Sequence, residues 1–117
     1  IAVAIDAKAG QVVSRGWVSS TALTPGSLTR RLVADGVRTI ICTDVSRDGM
    51  LHGPNLAQIR EVLEAGATQV IVSGGVSSLE DLRQIKCLEP LGVIGAIVGK
   101  ALYEGTIDAK AAIAAVA

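Results

Sequence analysis

Along this chain short apolar runs alternate with longer stretches in which apolar residues recur every three or four positions, a strand-then-helix rhythm. Residues 1–6 read as a strand that ends on a carboxylate. Alternation puts Ala2, Ala4 and Asp6 on one face and Ile1, Val3 and Ile5 on the other. The small face suits the crowded inside of a barrel; the larger one suits packing against helices. A loop over 7–20 follows, with a turn at Gly10, a short hairpin arm over 11–13 and Arg15-Gly16-Trp17 at its end. Thr24 caps a helix with Pro25 at its first position, Leu28, Leu32 and Val33 form its stripe, and Gly36 stops it. The second strand spans 39–43 and leads into the polar loop Asp44-Val45-Ser46-Arg47-Asp48-Gly49. A helix over 55–65 carries Leu56, Ile59, Val62 and Leu63 on one face, and Gly66 closes it. The third strand spans 69–73. Ser77 and Glu80 then have the form of a capping box for a helix buried through Leu79, Leu82 and Ile85. Residues 95–98 form the fourth strand, 100–103 a short helical turn and 108–116 the last helix.

The order is strand–helix four times, which is how sequential parallel strands are connected. A four-stranded doubly wound sheet fits that order. So does part of a barrel, because polar residues collect at the C-terminal end of every strand: Asp6, Thr43 with Asp44, Ser73 and Gly99. That is the rim where βα-barrels place their active sites. A full barrel needs eight units and ~250 residues. At 117 residues the chain makes a (βα)4 half of a (βα)8 TIM barrel, one half-barrel domain over 1–117. It opens at Ile1, already inside a strand pattern, so we expect sequence before it in the natural protein.

Composition narrows the chemistry. Half of the residues are hydrophobic, chiefly Ala, Val, Ile and Leu, with no Phe, one Trp and one Tyr, as buried parallel strands require. Eleven basic residues balance eleven acidic ones, so net charge recruits neither nucleic acid nor an anionic membrane. Any anion site is therefore local. Cys42 and Cys87 have no metal-type spacing and read as reduced, buried small apolar residues of a cytoplasmic protein. No apolar run approaches the ~18 residues of a membrane span.

The local anion site is Ser73-Gly74-Gly75-Val76-Ser77-Ser78, echoed by Val98-Gly99-Lys100-Ala101. Each stretch follows a strand and opens a helix. Glycines there let backbone approach a ligand closely, and N–H groups at a helix start favour an anion. Two such loops on consecutive repeats point to one shared phosphate site; tight strand-to-helix turns are the structural alternative.

Ile5-Asp6-Ala7-Lys8, Arg15-Gly16-Trp17, the Thr43 to Gly49 loop, Gly53-Pro54-Asn55, the glycine-pair loop and Val98-Gly99-Lys100-Ala101-Leu102-Tyr103 together resemble the ProFAR isomerases. These histidine-biosynthesis enzymes act on phosphoribosyl-formimino-aminoimidazole carboxamide ribotide. The resemblance covers essentially the whole chain, but only the C-terminal half of the family's barrel, strands five to eight. It implies an Amadori rearrangement of an aminoaldose to an aminoketose by acid–base catalysis, with no metal and no redox cofactor. Asp6 matches the family's general acid, a role that needs the carboxyl kept protonated by partial burial or neighbouring charge. Thr43 matches a threonine that holds substrate and catalytic Asp, and Asp48 a loop carboxylate near the sugar. Ser73, Gly74, Gly75, Gly99 and Lys100 match a phosphate cradle, Lys100 through its side chain or its backbone N–H. Arg15 matches a contact to a second phosphate or acid group, and Trp17 either stacks on the substrate ring or plugs the barrel top. His52 reads as loop structure.

In the family the other catalytic carboxylate and phosphate site lie on strands one to four. A lone half exposes an apolar inner face and two sheet edges. The resemblance therefore implies self-association or pairing with an N-terminal half-barrel, little or no activity alone, and a phosphorylated sugar-nucleotide-like ligand. Two other readings stay open: the related cyclase subunit of imidazole glycerol phosphate synthase, and a phosphate-binding half-barrel without turnover.

Overall fold

β-branched runs extend and pair, and the stretches between them coil back over one side. The computed structural model describes residues 1–14, 17–18, 23–47 and 53–117. In chain order the elements are β1 (Ala2–Lys8), β2 (Gln11–Ser14), β3 (Trp17–Val18), α1 (Pro25–Ala34), β4 (Thr39–Asp44), α2 (Leu56–Glu64), β5 (Gln69–Ser73), α3 (Leu79–Lys86), β6 (Val93–Ala96), α4 (Lys100–Tyr103) and α5 (Ala109–Ala115), with a 3-10 turn at Glu89–Leu91 before β6. The strands form one sheet in the order β3-β2-β1-β4-β5-β6. β1, β4, β5 and β6 are parallel neighbours, and β2 and β3 are antiparallel additions beyond β1.

Side-chain oxygens start α1, α2, α3 and α5. Thr24 and Ser27 form a reciprocal box at α1, Asn55 accepts from Gln58 N at 3.1 Å, and Asp108 accepts from Ala111 N at 3.0 Å. The cap expected at Ser77 falls instead on Ser78, and the reciprocal box expected with Glu80 does not form. Ser78 caps α3 by accepting from Asp81 N at 3.1 Å, and the Asp81 carboxylate accepts from the N–H and hydroxyl of Ser77, both at 2.9 Å. Serine on both sides of the boundary left that register undecided in the sequence.

The core lies between the sheet and its helices. Ile5, Ile40, Cys42, Val70, Val72 and Val93 from the strands meet Ile59, Val62, Leu82, Ile85 and Ile107. Among the described residues the opposite sheet face carries no helix: Ala2, Ala4, Asp6 and Gln69 are exposed on it, and Ile41 and Ile71 are half-buried. A doubly wound sheet covers both faces, whereas here the described helices cover one. One-sided helices on sequential parallel strands are compatible with part of a βα-barrel wall.

Three further expectations are corrected. β6 begins at Val93, two residues before the expected 95–98. The turn ending at Gly92 delivers the chain to β5 early, where Val70 N donates to Gly92 O at 2.8 Å, and Ile94 bulges out between Val93 and Gly95. A continuous apolar run carries no mark of where pairing starts. β1 runs past Asp6 because Ala7 and Lys8 pair with Val12 and Gln11 around Ala9-Gly10, both at positive φ. Cys42 is buried as expected, but Cys87 is exposed just after α3. Among the described residues no helix is long and apolar enough to cross a membrane.

Burial on one face sets where stability is sensitive. Ile59 is 2% exposed and Ile113 72%. Ile59→Ala is expected to cost about 2–5 kcal/mol in urea unfolding, and Ile113→Ala no more than about 0.5 kcal/mol.

Candidate active site

The parallel register pairs Asp6 with Thr43 and Thr43 with Ser73. These three residues therefore form a row across β1, β4 and β5, one strand spacing apart (~4.8 Å), at the C-terminal ends on the helix-free face. Asp6 is exposed and Thr43 is 8% exposed. One step down the sheet lie Ala4, Ile41, Ile71 and Gly95; the next holds Ala2, Thr39 and Gln69, with Thr39 Oγ1 donating to Gln69 Oε1 at 2.7 Å. The face is thus polar at both ends and small or apolar between.

At the same rim the chain leaves β5 through Gly74 and Gly75, at φ 92° and 82°. A Cβ on Gly74 would sit 2.9 Å from Asp44 O, and one on Gly75 only 2.3 Å from Gly53 O. What approaches these glycines is the neighbouring loop, so the pair is required by packing within the protein. Gly99 differs: a Cβ there meets nothing within 4 Å. It precedes α4 and follows the next strand over, where Ile97 N donates to Val72 O at 2.8 Å. The two glycine loops accordingly leave adjacent strands at one rim.

Behind the row, alternation turns Asp44 toward the helix side, where it is 7% exposed. Its Oδ1 accepts from Ser46 N at 2.9 Å and from the Ser46 hydroxyl, and its Oδ2 accepts from Asn55 Nδ2 at 2.7 Å. Arg47 Nε lies 3.7 Å from Oδ2, and Arg47 Nη1 donates to Pro54 O at 3.1 Å and Gly53 O at 3.3 Å. Gly53 N in turn donates to Gly75 O at 2.8 Å. Burial opposes charge on Asp44, but the hydrogen bonds from Ser46 and Asn55, with the Arg47 guanidinium, outweigh it and hold the carboxyl below the usual Asp range.

The candidates Asp6, Thr43, Ser73, Gly74, Gly75 and Gly99 thus gather at one rim. Lys100 follows Gly99, with Nζ 3.7 Å from Glu104 Oε1 on the surface of α4. Arg15, Asp48 and His52 lie outside the described residues, as does the side chain of Trp17, whose backbone pairs with Ser14 in β3. Sequence reasoning missed the Asp44–Arg47–Asn55 cluster. Its signals were a serine two residues after an aspartate and an asparagine just before a helix. Among the described residues no group of three or more His, Cys, Asp or Glu is placed to hold a metal ion.

The two kinds of glycine should respond differently. Gly75→Ala is expected to cost at least about 2 kcal/mol in denaturant unfolding, from positive φ and the clash together. Gly99→Ala should leave the unfolding midpoint unchanged. A depressed Asp44 pKa contributes stability that is complete above about pH 4 and lost as pH falls through the lower folded value. Asp44→Asn should therefore cost about 1–3 kcal/mol at pH 7, a gap from wild type that closes as unfolding is repeated below pH ~4.

Residues 1–108 match the family described as Histidine biosynthesis protein. Among similar proteins, the 1-(5-phosphoribosyl)-5-((5-phosphoribosylamino)methylideneamino) imidazole-4-carboxamide isomerase of a Synechococcus species is 47% identical over 116 residues, 99% of this chain and 45% of the relative. The isomerase of that name from Microcystis aeruginosa is 48% identical over 116 residues, 99% of this chain and 46% of its own. That from Pelobacter propionicus is 50% identical over 114 residues, 97% of this chain and 46% of its own. The chain thus spans less than half the length of these relatives. With the family match running over residues 1–108, the chain belongs to the histidine-biosynthesis protein family.

Proposed function

We propose that residues 1–117 are the C-terminal half-barrel, strands five to eight, of an isomerase that converts the ProFAR aminoaldose to its aminoketose by acid–base catalysis. The observation that carries this reading is the in-register row of Asp6, Thr43 and Ser73 on the helix-free face, at the rim where both glycine loops emerge. Asp6 is the general acid that opens the ribose ring, donating its proton to the ring oxygen. Thr43, beside it on β4, orients Asp6 and the substrate. Ser73, Gly74, Gly75, Gly99 and the backbone of Lys100 receive one of the substrate's phosphates, with Arg15, Trp17 and Asp48 contacting the rest of it. The relatives' printed names, which carry two phosphoribosyl groups, agree with a phosphorylated ligand of that kind. The base that takes the C2 proton comes from outside this chain.

The same geometry supports a covering partner. Ile41 and Ile71 lie half-buried on the open face, and Ile94, Ile97, Leu102 and Ile113 are exposed on and beside β6, at the sheet's edge. Exposed apolar surface of this kind marks an interaction site, and an uncovered strand edge invites pairing. The partner is an N-terminal half-barrel, or a second copy of this chain related by a two-fold axis.

The test supplies this chain with the N-terminal half of a relative and follows ProFAR turnover. Asp6→Asn should lower turnover at least about 100-fold while leaving inorganic phosphate affinity unchanged. Gly99→Ala should weaken phosphate binding, because its methyl enters the open space meant for the anion. Wild-type turnover in the Asp6→Asn protein would overturn the assignment.

A further inference from the structure

The residues just after β4 hold a device that the proposed chemistry does not use. Asp44 faces away from the Asp6 row, yet its two carboxylate oxygens grip opposite ends of the connection between β4 and α2. Oδ1 takes the Ser46 N–H and hydroxyl at the near end, and Oδ2 takes Asn55 Nδ2 at the far end. Asn55 is itself fixed, because its Oδ1 accepts from Gln58 N as the cap of α2. Arg47, beside Asp44, reaches across to the carbonyls of Gly53 and Pro54. Every link so far belongs to one connection.

The next link leaves it. Gly53 N donates to Gly75 O at 2.8 Å, and the approach is so close that a Cβ on Gly75 would sit 2.3 Å from Gly53 O. Asp44 O and Thr43 Cγ2 press in the same way on Gly74, at 2.9 Å and 3.4 Å from an added Cβ. The backbone of the glycine pair is therefore held from one side by the segment that Asp44 closes. Just beyond the pair along the chain, Asp81 accepts from the N–H and hydroxyl of Ser77 where α3 starts.

We propose that Asp44 is a positioning residue for the phosphate cradle: it clamps both ends of the β4–α2 connection and so seats Gly53 against Gly75, fixing where the cradle's N–H groups point. This rests on the reading of the glycine loops as a phosphate site. A carboxylate suits the task because it alone offers acceptors on two oxygens to donors arriving from both ends. Asp44 touches no substrate and acts through Gly53 and Gly75.

The experiment titrates inorganic phosphate into the ¹⁵N-labelled 117-residue chain and follows the amides of Ser73, Gly74, Gly75 and Gly99. Asp44→Ala should weaken phosphate affinity roughly tenfold. Asp44→Asn, which keeps one accepting oxygen, should fall between. Val62→Ala serves as the control: it opens a cavity in the core under α2 and lowers stability, but its phosphate affinity should match wild type. Equal affinity in wild type and Asp44→Ala overturns the clamp alone. Equal weakening in Asp44→Ala and Val62→Ala also overturns it, because general destabilisation then suffices. No phosphate-dependent shift in wild type overturns the cradle itself, and the clamp's role with it.

Discussion

Parallel in-register pairing of β1, β4 and β5 is the constraint on which the rest of this structure depends. A strand's side chains alternate, so one register decides both faces at once. Ile5, Cys42 and Val72 fall together beneath the helices, and one residue further on Asp6, Thr43 and Ser73 fall together on the open face. A slip of one residue would put a carboxylate under α2 and isoleucine at the rim. The cost of burying an unpaired charge forbids that slip, so the core holds the polar row in place.

The connections at the rim add a second layer of order. Ser73, Thr43 and Asp44 end their strands side by side, and the loops that follow are sewn to each other through backbone: Val45 N to Ala7 O at 2.9 Å, Gly53 N to Gly75 O at 2.8 Å. Glycine is demanded at 74 and 75 by neighbouring carbonyls, whereas at 99 the surroundings demand nothing. Residues that look alike in a motif thus answer to different forces: two admit the close approach of the chain itself, and one stands before open space.

Much of this was legible in advance because local rules and the fold agree. Thr24 with Pro25, Asn55 and Asp108 announce helix starts by chemistry that acts within a turn, and the structure keeps all three. Gln69–Ser73 and Lys100–Tyr103 match their expected bounds. Ala2, Ala4 and Asp6 do share the face away from the helices. The start of β6 was not legible, since it is set by where a turn delivers the chain to β5. Nor was the exposure of Cys87, which only packing separates from the buried Cys42.

Sequence alone determined the alternation of strands and helices, the caps of α1, α2 and α5, the polar strand ends and the family's motifs, because each is written in residues near one another along the chain. Tertiary structure decided which face stays uncovered, what the glycine pair is close to, and that Asp44 turns back to hold its own connection and not toward the rim. Those depend on contacts between residues distant in the chain, such as Gly53 with Gly75, whose meeting is fixed by how neighbouring strands align and not by any local preference.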